Sequence, residues 1–121
     1  MNSSLLEFRD HEDRPWGSFD RFTRDELSTV KIIRVAPSKR LSLQRHSHRN
    51  EFWHIISGSG TATIDEHETA VAPGDEFEVP ARTLHRLAAG PEGLSLLEIA
   101  FGHFDENDIE RFEDDFGRTT P

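Results

Sequence analysis

Seven histidines occur in the 121 residues, and four of them, His46, His48, His54 and His85, fall in the strand-rich middle of the chain. Residues two apart on a strand share a face. Arg40, Ser42, Gln44, His46 and, if the strand runs on, His48 would therefore point one way while Leu41 and Leu43 point the other. Gln, His and Arg side by side in a small interior are unfavourable unless they are paired, solvated or bound to a metal ion. A polar, convergent face of this kind implies a binding or catalytic site. Lys31 adds a cation on the face of Ile33 and Val35, while His54 alternates away from Glu51 and Trp53 and is expected on the outside.

The spacing narrows the reading. Gln44-x-His46 is followed by Glu51 and then Gly58, and a later segment reads Gly74-x5-Pro80-x4-His85. This resembles the two motifs of the cupin superfamily, in which side chains from one hairpin and a His from a second segment hold a divalent metal inside a jelly-roll barrel. A frame that starts at His46-x-His48 leaves too few residues before Glu51, whereas the frame at Gln44 fits, with Gln44 in the first His position. The resemblance thus implies Gln44, His46, Glu51 and His85 as metal ligands. Ser38 and Arg82 stand where the two motifs have Gly, at turn positions where positive φ suits glycine best.

The wider context is more specific. Arg14-Pro15-Trp16-Gly17, Lys31, Leu41-Ser42-Leu43-Gln44-x-His46-x-His48-Arg49-x-Glu51-x-Trp53 and Asp108-Ile109-x-Arg111-x-Glu113-Asp114-x-Phe116-Gly117-Arg118 resemble the cupin domain of type II mannose-6-phosphate isomerases. Ala100 departs from that family, which commonly has Gln there. The resemblance implies interconversion of mannose 6-phosphate and fructose 6-phosphate with one divalent ion, zinc foremost, and manganese, iron, cobalt or nickel compatible. In that family a nucleotidyltransferase domain often precedes the cupin. Nothing here resembles its Gly-rich nucleotide loop, Gly58-Ser59-Gly60 reading as a hairpin turn, so guanylyltransferase activity is expected to be absent.

Aldose–ketose interconversion moves a proton between adjacent carbons through an enediol. Two imidazoles, a carboxylate and an amide oxygen neutralise one unit of a 2+ charge and leave a Lewis acid with open positions for the sugar oxygens. Proton transfer needs a side chain within hydrogen-bond reach of the carbons; His48 is the first candidate and Glu98 the second. Lys31, Arg40 and Arg49 are expected to meet the phosphate at the barrel mouth. Two other readings use the same residues. One is a non-catalytic sugar-binding or regulatory cupin. The other is an iron-dependent dioxygenase, since two His and one carboxylate with open positions suit non-heme iron(II); Gln44 in the first ligand position argues against it.

The elements that must position these groups are short, β-branched and interrupted by Gly or Pro at intervals of about ten residues, an all-β pattern. Strands are expected at 30–35, 41–48, 52–56, 61–64, 68–72, 76–79, 84–88 and 94–101, in a jelly-roll barrel. The tail is expected to form a short C-terminal helix, capped by Asp105, with Ile109, Phe112 and Phe116 as its apolar stripe. Residues 1–13 read as an N-terminal extension and 14–121 as a single domain.

With 14 Lys and Arg against 23 Asp and Glu, the net charge of -9 and the lack of a basic run speak against nucleic acid as a partner. No cysteine is present, which removes thiolate metal sites and disulfides. No apolar run reaches the ~20 residues of a membrane helix, and Glu7, Arg9 and Asp10 interrupt any signal-peptide core. A cytoplasmic protein without membrane partners is expected. Leu41, Leu43 and the Phe-rich tail suggest a surface for a homodimer.

Overall fold

The computed structural model describes residues 5–120, which form nine strands and, among the described residues, no helix. β1 (Asp10–Arg14) and β2 (Gly17–Arg21) make a separate hairpin. β3 (Ser28–Val35), β4 (Leu43–Arg45), β5 (Glu51–Ile64), β6 (His67–Val71), β7 (Glu76–Val79), β8 (His85–Phe101) and β9 (Glu110–Glu113) form one continuous antiparallel sheet. β1 lies across the boundary expected at Arg14, and residues 1–4 of the expected extension lie outside the described residues.

The two long strands build the barrel. β5 and β8 pair from Glu51 opposite Ala100 to Ile64 opposite His85, with register shifts at Ile55/Ser57 and Gly58/Gly60. There the ribbon folds over, because a bulged strand bends and twists more strongly. One half carries β3 beside β8 and β7 beside β5; the other carries β6 beside β5 and β4, then β9, beside β8. The hairpin turn expected at Gly58-Ser59-Gly60 is therefore a corner inside a continuous strand. Gly58 has φ 88° and its α-carbon lies so close to the Gly93 carbonyl that a side chain would collide with it. The same bend fuses the segments expected at 52–56 and 61–64, and those at 84–88 and 94–101, into single strands.

Trp53, Ile55, Ala62, Leu87, Leu94, Leu96 and Val35 fill the interior between the two halves, and Ile33 and Leu41 pack against them. Phe52 and Ile99, paired across the ribbon on its outer face, are buried under Leu6 and Phe22 from the N-terminal segment. Two sides of one ribbon are thus apolar, which a strict in-out alternation would not show.

The expected tail helix is not formed. β4 offers an edge beside β8, and β9 pairs with it, leaving Phe112 and Phe116 exposed rather than aligned toward a core. Pairing between distant segments has overridden local periodicity. The pairing is irregular: Leu43 faces Glu113 but Gln44 faces Arg111, so Phe112 is bulged out.

Candidate metal centre and its cavity

The candidate ligands come from both halves of the bent ribbon. Glu51 opens β5 between Val79 and Ala100, whereas His85 opens β8 with Gln44 opposite it. Folding at Gly58 brings these ends together across the interior. His46, Glu51 and His85 are at most 3% exposed, and their donor atoms lie within 4.8 Å of one another. His46 Nε2 is 3.5 Å from Glu51 Oε2, and His85 Nε2 is 3.8 Å from Glu51 Oε1. Gln44 Nε2 lies 3.2 Å from His46 Nε2 and 3.5 Å from His85 Nε2.

The arrangement fits a divalent ion on three counts. His46 Nδ1–H donates to the Asp108 carbonyl at 2.7 Å and His85 Nδ1–H to the Thr83 carbonyl at 2.9 Å, which leaves both Nε2 lone pairs facing the cluster. Glu51 Oε1 is buried and has no hydrogen-bond partner, a cost that a cation would relieve. The separations are those of donors gathered about 2.0–2.2 Å from one ion. The Gln44 amide accepts from Ser42 Oγ at 2.6 Å; a half-turn would aim its oxygen at the cluster and let its NH2 donate to Ser42 instead. Arg49 competes for the same groups, donating from Nε to Glu51 Oε2 at 2.8 Å and from Nη2 to His46 Nε2 at 3.2 Å.

Electrostatics follow from burial. Desolvation holds both His46 and His85 below the usual imidazole range despite the attraction of Glu51. Burial, then the neighbouring Glu51 charge, pushes the Glu98 carboxyl up to about 7, against the pull of Arg49 and Lys31. Backbone N–H groups of Ser47 and His48, 2.8 and 2.9 Å from its oxygens, overcome desolvation to hold the Asp108 carboxyl below its ordinary value.

A cavity of about 190 Å³ opens on this cluster, lined on its cluster side by Ser42, Gln44, His46, Arg49, Glu98 and Lys31. Lys31 and Glu98 face each other in the β3–β8 register, so they share the inner face. Phe104 stands between two cations: Lys31 Nζ is 4.3 Å, and Arg49 Cζ 4.6 Å, from its ring centroid.

Two expected site residues lie elsewhere. The imidazole of His48 is exposed and does not line the cavity; beyond Arg45 the chain leaves the strand, and Asp108 takes the His48 N–H. Arg40 is exposed, pairs with Asp115 at 2.8 Å and lines a separate outer groove with Thr61, Thr63 and Arg86. The strand is broken at Leu41–Ser42, both of which line the cavity, so the parity linking Arg40 to Gln44 is lost. His54 is on the outer side, hydrogen-bonded to Glu76 and edge-on to Phe22. Sequence reasoning assigned no role to Ser42, Phe104, Asp108, Arg111 or Arg118; for the last three the only signal was the motif beginning at Asp108.

Comparison with known proteins adds the family context. The sequence pattern of the family described as mannose-6-phosphate isomerase C-terminal matches residues 2–114. The alginate biosynthesis protein AlgA of Pseudomonas fluorescens is 41% identical over 110 residues, covering 89% of this chain and 23% of that protein. The mannose-1-phosphate guanylyltransferase ManC of Salmonella typhimurium is 36% identical over 107 residues, covering 87% and 22%. The chain thus spans less than a quarter of the length of these relatives. Among solved structures, a point mutant of Bacillus subtilis oxalate decarboxylase superposes with TM-score 0.66 at 26% identity, over 73% of this chain and 25% of that one. The all-β cupin fold is thereby shared.

Proposed function

The chain belongs to the mannose-6-phosphate isomerase C-terminal family, and from that premise we propose that it is a metal-dependent isomerase interconverting mannose 6-phosphate and fructose 6-phosphate. The observation that carries the reading is the buried His46–Glu51–His85 cluster, with Gln44 beside it, at the base of a cavity lined by cations. Held by Gln44, His46, Glu51 and His85, a divalent ion would act as a Lewis acid on the sugar's carbonyl and adjacent hydroxyl.

The remaining roles fall to the chain's own side chains. Glu98 lines the cavity within reach of Glu51 and opposite Lys31, and we assign it the transfer of the proton between the two carbons of the enediol. It takes this role in preference to His48, whose ring faces solvent. Lys31 and Arg49 keep the cavity positive and attract an anionic substrate.

The test is to supply metal-loaded protein with fructose 6-phosphate and follow mannose 6-phosphate, beside Gln44→Ala and His46→Ala variants and a metal-stripped control. Turnover in the wild type that is lost in all three is the expected result. A folded, metal-loaded wild type that binds hexose phosphates without converting them would overturn the isomerase in favour of a sugar-binding cupin.

A further inference from the structure

The tail motif that the sequence singled out finds no use in the chemistry above, yet two of its arginines line the cavity. Arg111 stands opposite Gln44 in the β4–β9 register, and directly opposed residues of an antiparallel pair project to the same face. The pair continues the register of Arg45 with Glu110, and the shift comes one step later, where Leu43 faces Glu113 and Phe112 is bulged out.

Arg111 is held in place but not neutralised. Its backbone N–H donates to Thr120 Oγ1 at 2.8 Å, and Thr120 N–H returns to the Arg111 carbonyl at 2.9 Å. Its side-chain Nε is buried without a partner, and no ion pair holds its guanidinium among the described residues. Arg118 approaches the same cavity from the turn that follows β9. Asp114 orients it, accepting from Arg118 Nε at 2.7 Å and Nη2 at 3.1 Å, and the Arg118 side chain is half exposed, which puts it at the mouth.

Four cations, Lys31, Arg49, Arg111 and Arg118, therefore line the cavity against two acids, Glu98 and Glu106. Arg49 is paired with Glu51 and Arg118 with Asp114. Lys31, resting on Phe104, and Arg111 have no ion-pair partner among the described residues. Two cations free of direct ion pairs match a phosphate monoester, which carries between one and two negative charges near neutrality. The planar fork of a guanidinium with free N–H groups suits its oxygens.

We propose that Arg111 and Arg118, with Lys31, form the seat of the substrate's phosphate group at the mouth of the cavity. This deepens the isomerase reading and rests on it for the sugar that carries the phosphate.

The experiment titrates inorganic phosphate, fructose 6-phosphate and fructose into the full chain by calorimetry, in metal-loaded and chelated forms. Arg111→Gln, Arg118→Gln and Arg111→Lys are compared with Arg34→Gln, an exposed charge on the other face of β3. The expected result is that Arg111→Gln and Arg118→Gln each weaken both phosphate ligands by about tenfold or more, that Arg111→Lys falls between them and the wild type, and that Arg34→Gln stays within twofold. Thermal melts and metal binding of the variants should match the wild type. Phosphate and fructose 6-phosphate affinities within twofold of wild type in both Gln variants would overturn the seat, whether or not the wild type isomerises. A wild type that binds neither inorganic phosphate nor fructose 6-phosphate would overturn it as well. Phosphate binding that depends on Arg111, in a protein without turnover, would sustain the seat and remove the isomerase.

Discussion

Glu98 is a carboxyl kept out of water beside another carboxyl, and its titration is the sharpest consequence of the site's geometry. In the metal-free protein its folded value is about 7 against an ordinary 4.5, so between those limits the folded chain holds a proton that the unfolded chain releases. Stability from this group is fully present below 4.5 and is lost as pH rises through 7. Glu98→Gln removes the dependence: the variant should be about 1–3 kcal/mol more stable than wild type at pH 8 and indistinguishable at pH 4. Denaturant titrations of the chelated proteins at both pH values would show it; an equal difference at both would refute it. His46 and His85 tilt the other way, since burial keeps them neutral and stability falls as pH drops below the 6.5 of a free imidazole. Both proteins share that slope, so it cancels in the comparison. With metal bound, the same Glu98→Gln change should lower kcat by about a hundredfold or more while the metal is retained.

Among the elements, the turns at Ser38 and Arg82 carry left-handed backbone, φ 60° and 66°, on residues that have a Cβ. These are the positions where the sequence motifs have glycine, so the backbone of the family persists without its permissive residue. Arg82 N–H is tied to the His46 carbonyl and Ser38 N–H to Gly90, which hold the strained turns in place. Ser38→Gly and Arg82→Gly should each stabilise the chain, by about 0.5–1 kcal/mol, because relief of the left-handed conformation outweighs the added freedom of glycine in the unfolded state. Thermal unfolding would measure it, and a loss of stability in both would show that the side chains themselves hold the turns.

At the scale of the whole molecule, folding should be linked to binding of an ion. Three buried donors with one unpaired oxygen favour a folded state with a cation bound, and mass action predicts a gain of about 4 kcal/mol at a free concentration a thousand times the Kd. Zinc, manganese, iron, cobalt and nickel added to chelated protein should rank by the rise in Tm, and His85→Ala should abolish the rise. We propose association of two copies as a second property at this scale. Val30 and Ile32 are more than half exposed on the outer face of β3, which pairs only with β8 among the described residues. Such a strand is a ready surface for a second copy. Leu41, expected to help form that surface, packs against the interior instead, so the proposed homodimer would use β3. It should sediment at twice 13.8 kDa, and Val30→Lys with Ile32→Lys should return it to 13.8 kDa; a wild type that stays at 13.8 kDa at all concentrations would exclude the dimer.

The all-β class was legible in the chain because short β-branched runs punctuated by Gly and Pro specify strands locally. The spacing of Gln44, His46, Glu51 and His85 was legible because the family resemblance fixes a frame. Local pattern could not show that Gly58-Ser59-Gly60 bends a strand instead of ending it, since the close approach to Gly93 arises only once β5 meets β8. Nor could it show that Ile109, Phe112 and Phe116, spaced as a helix stripe, would be drawn into pairing with β4. The break at Leu41–Ser42 and the Asp108 carboxylate on the Ser47 and His48 N–H groups ended the alternation on which Arg40 and His48 depended. The sequence alone determined which residue types could bind an ion and a sugar phosphate. Tertiary structure decided which of them meet, because strand parity holds only while a strand is unbroken and bulges and corners are set by the strands they pair with.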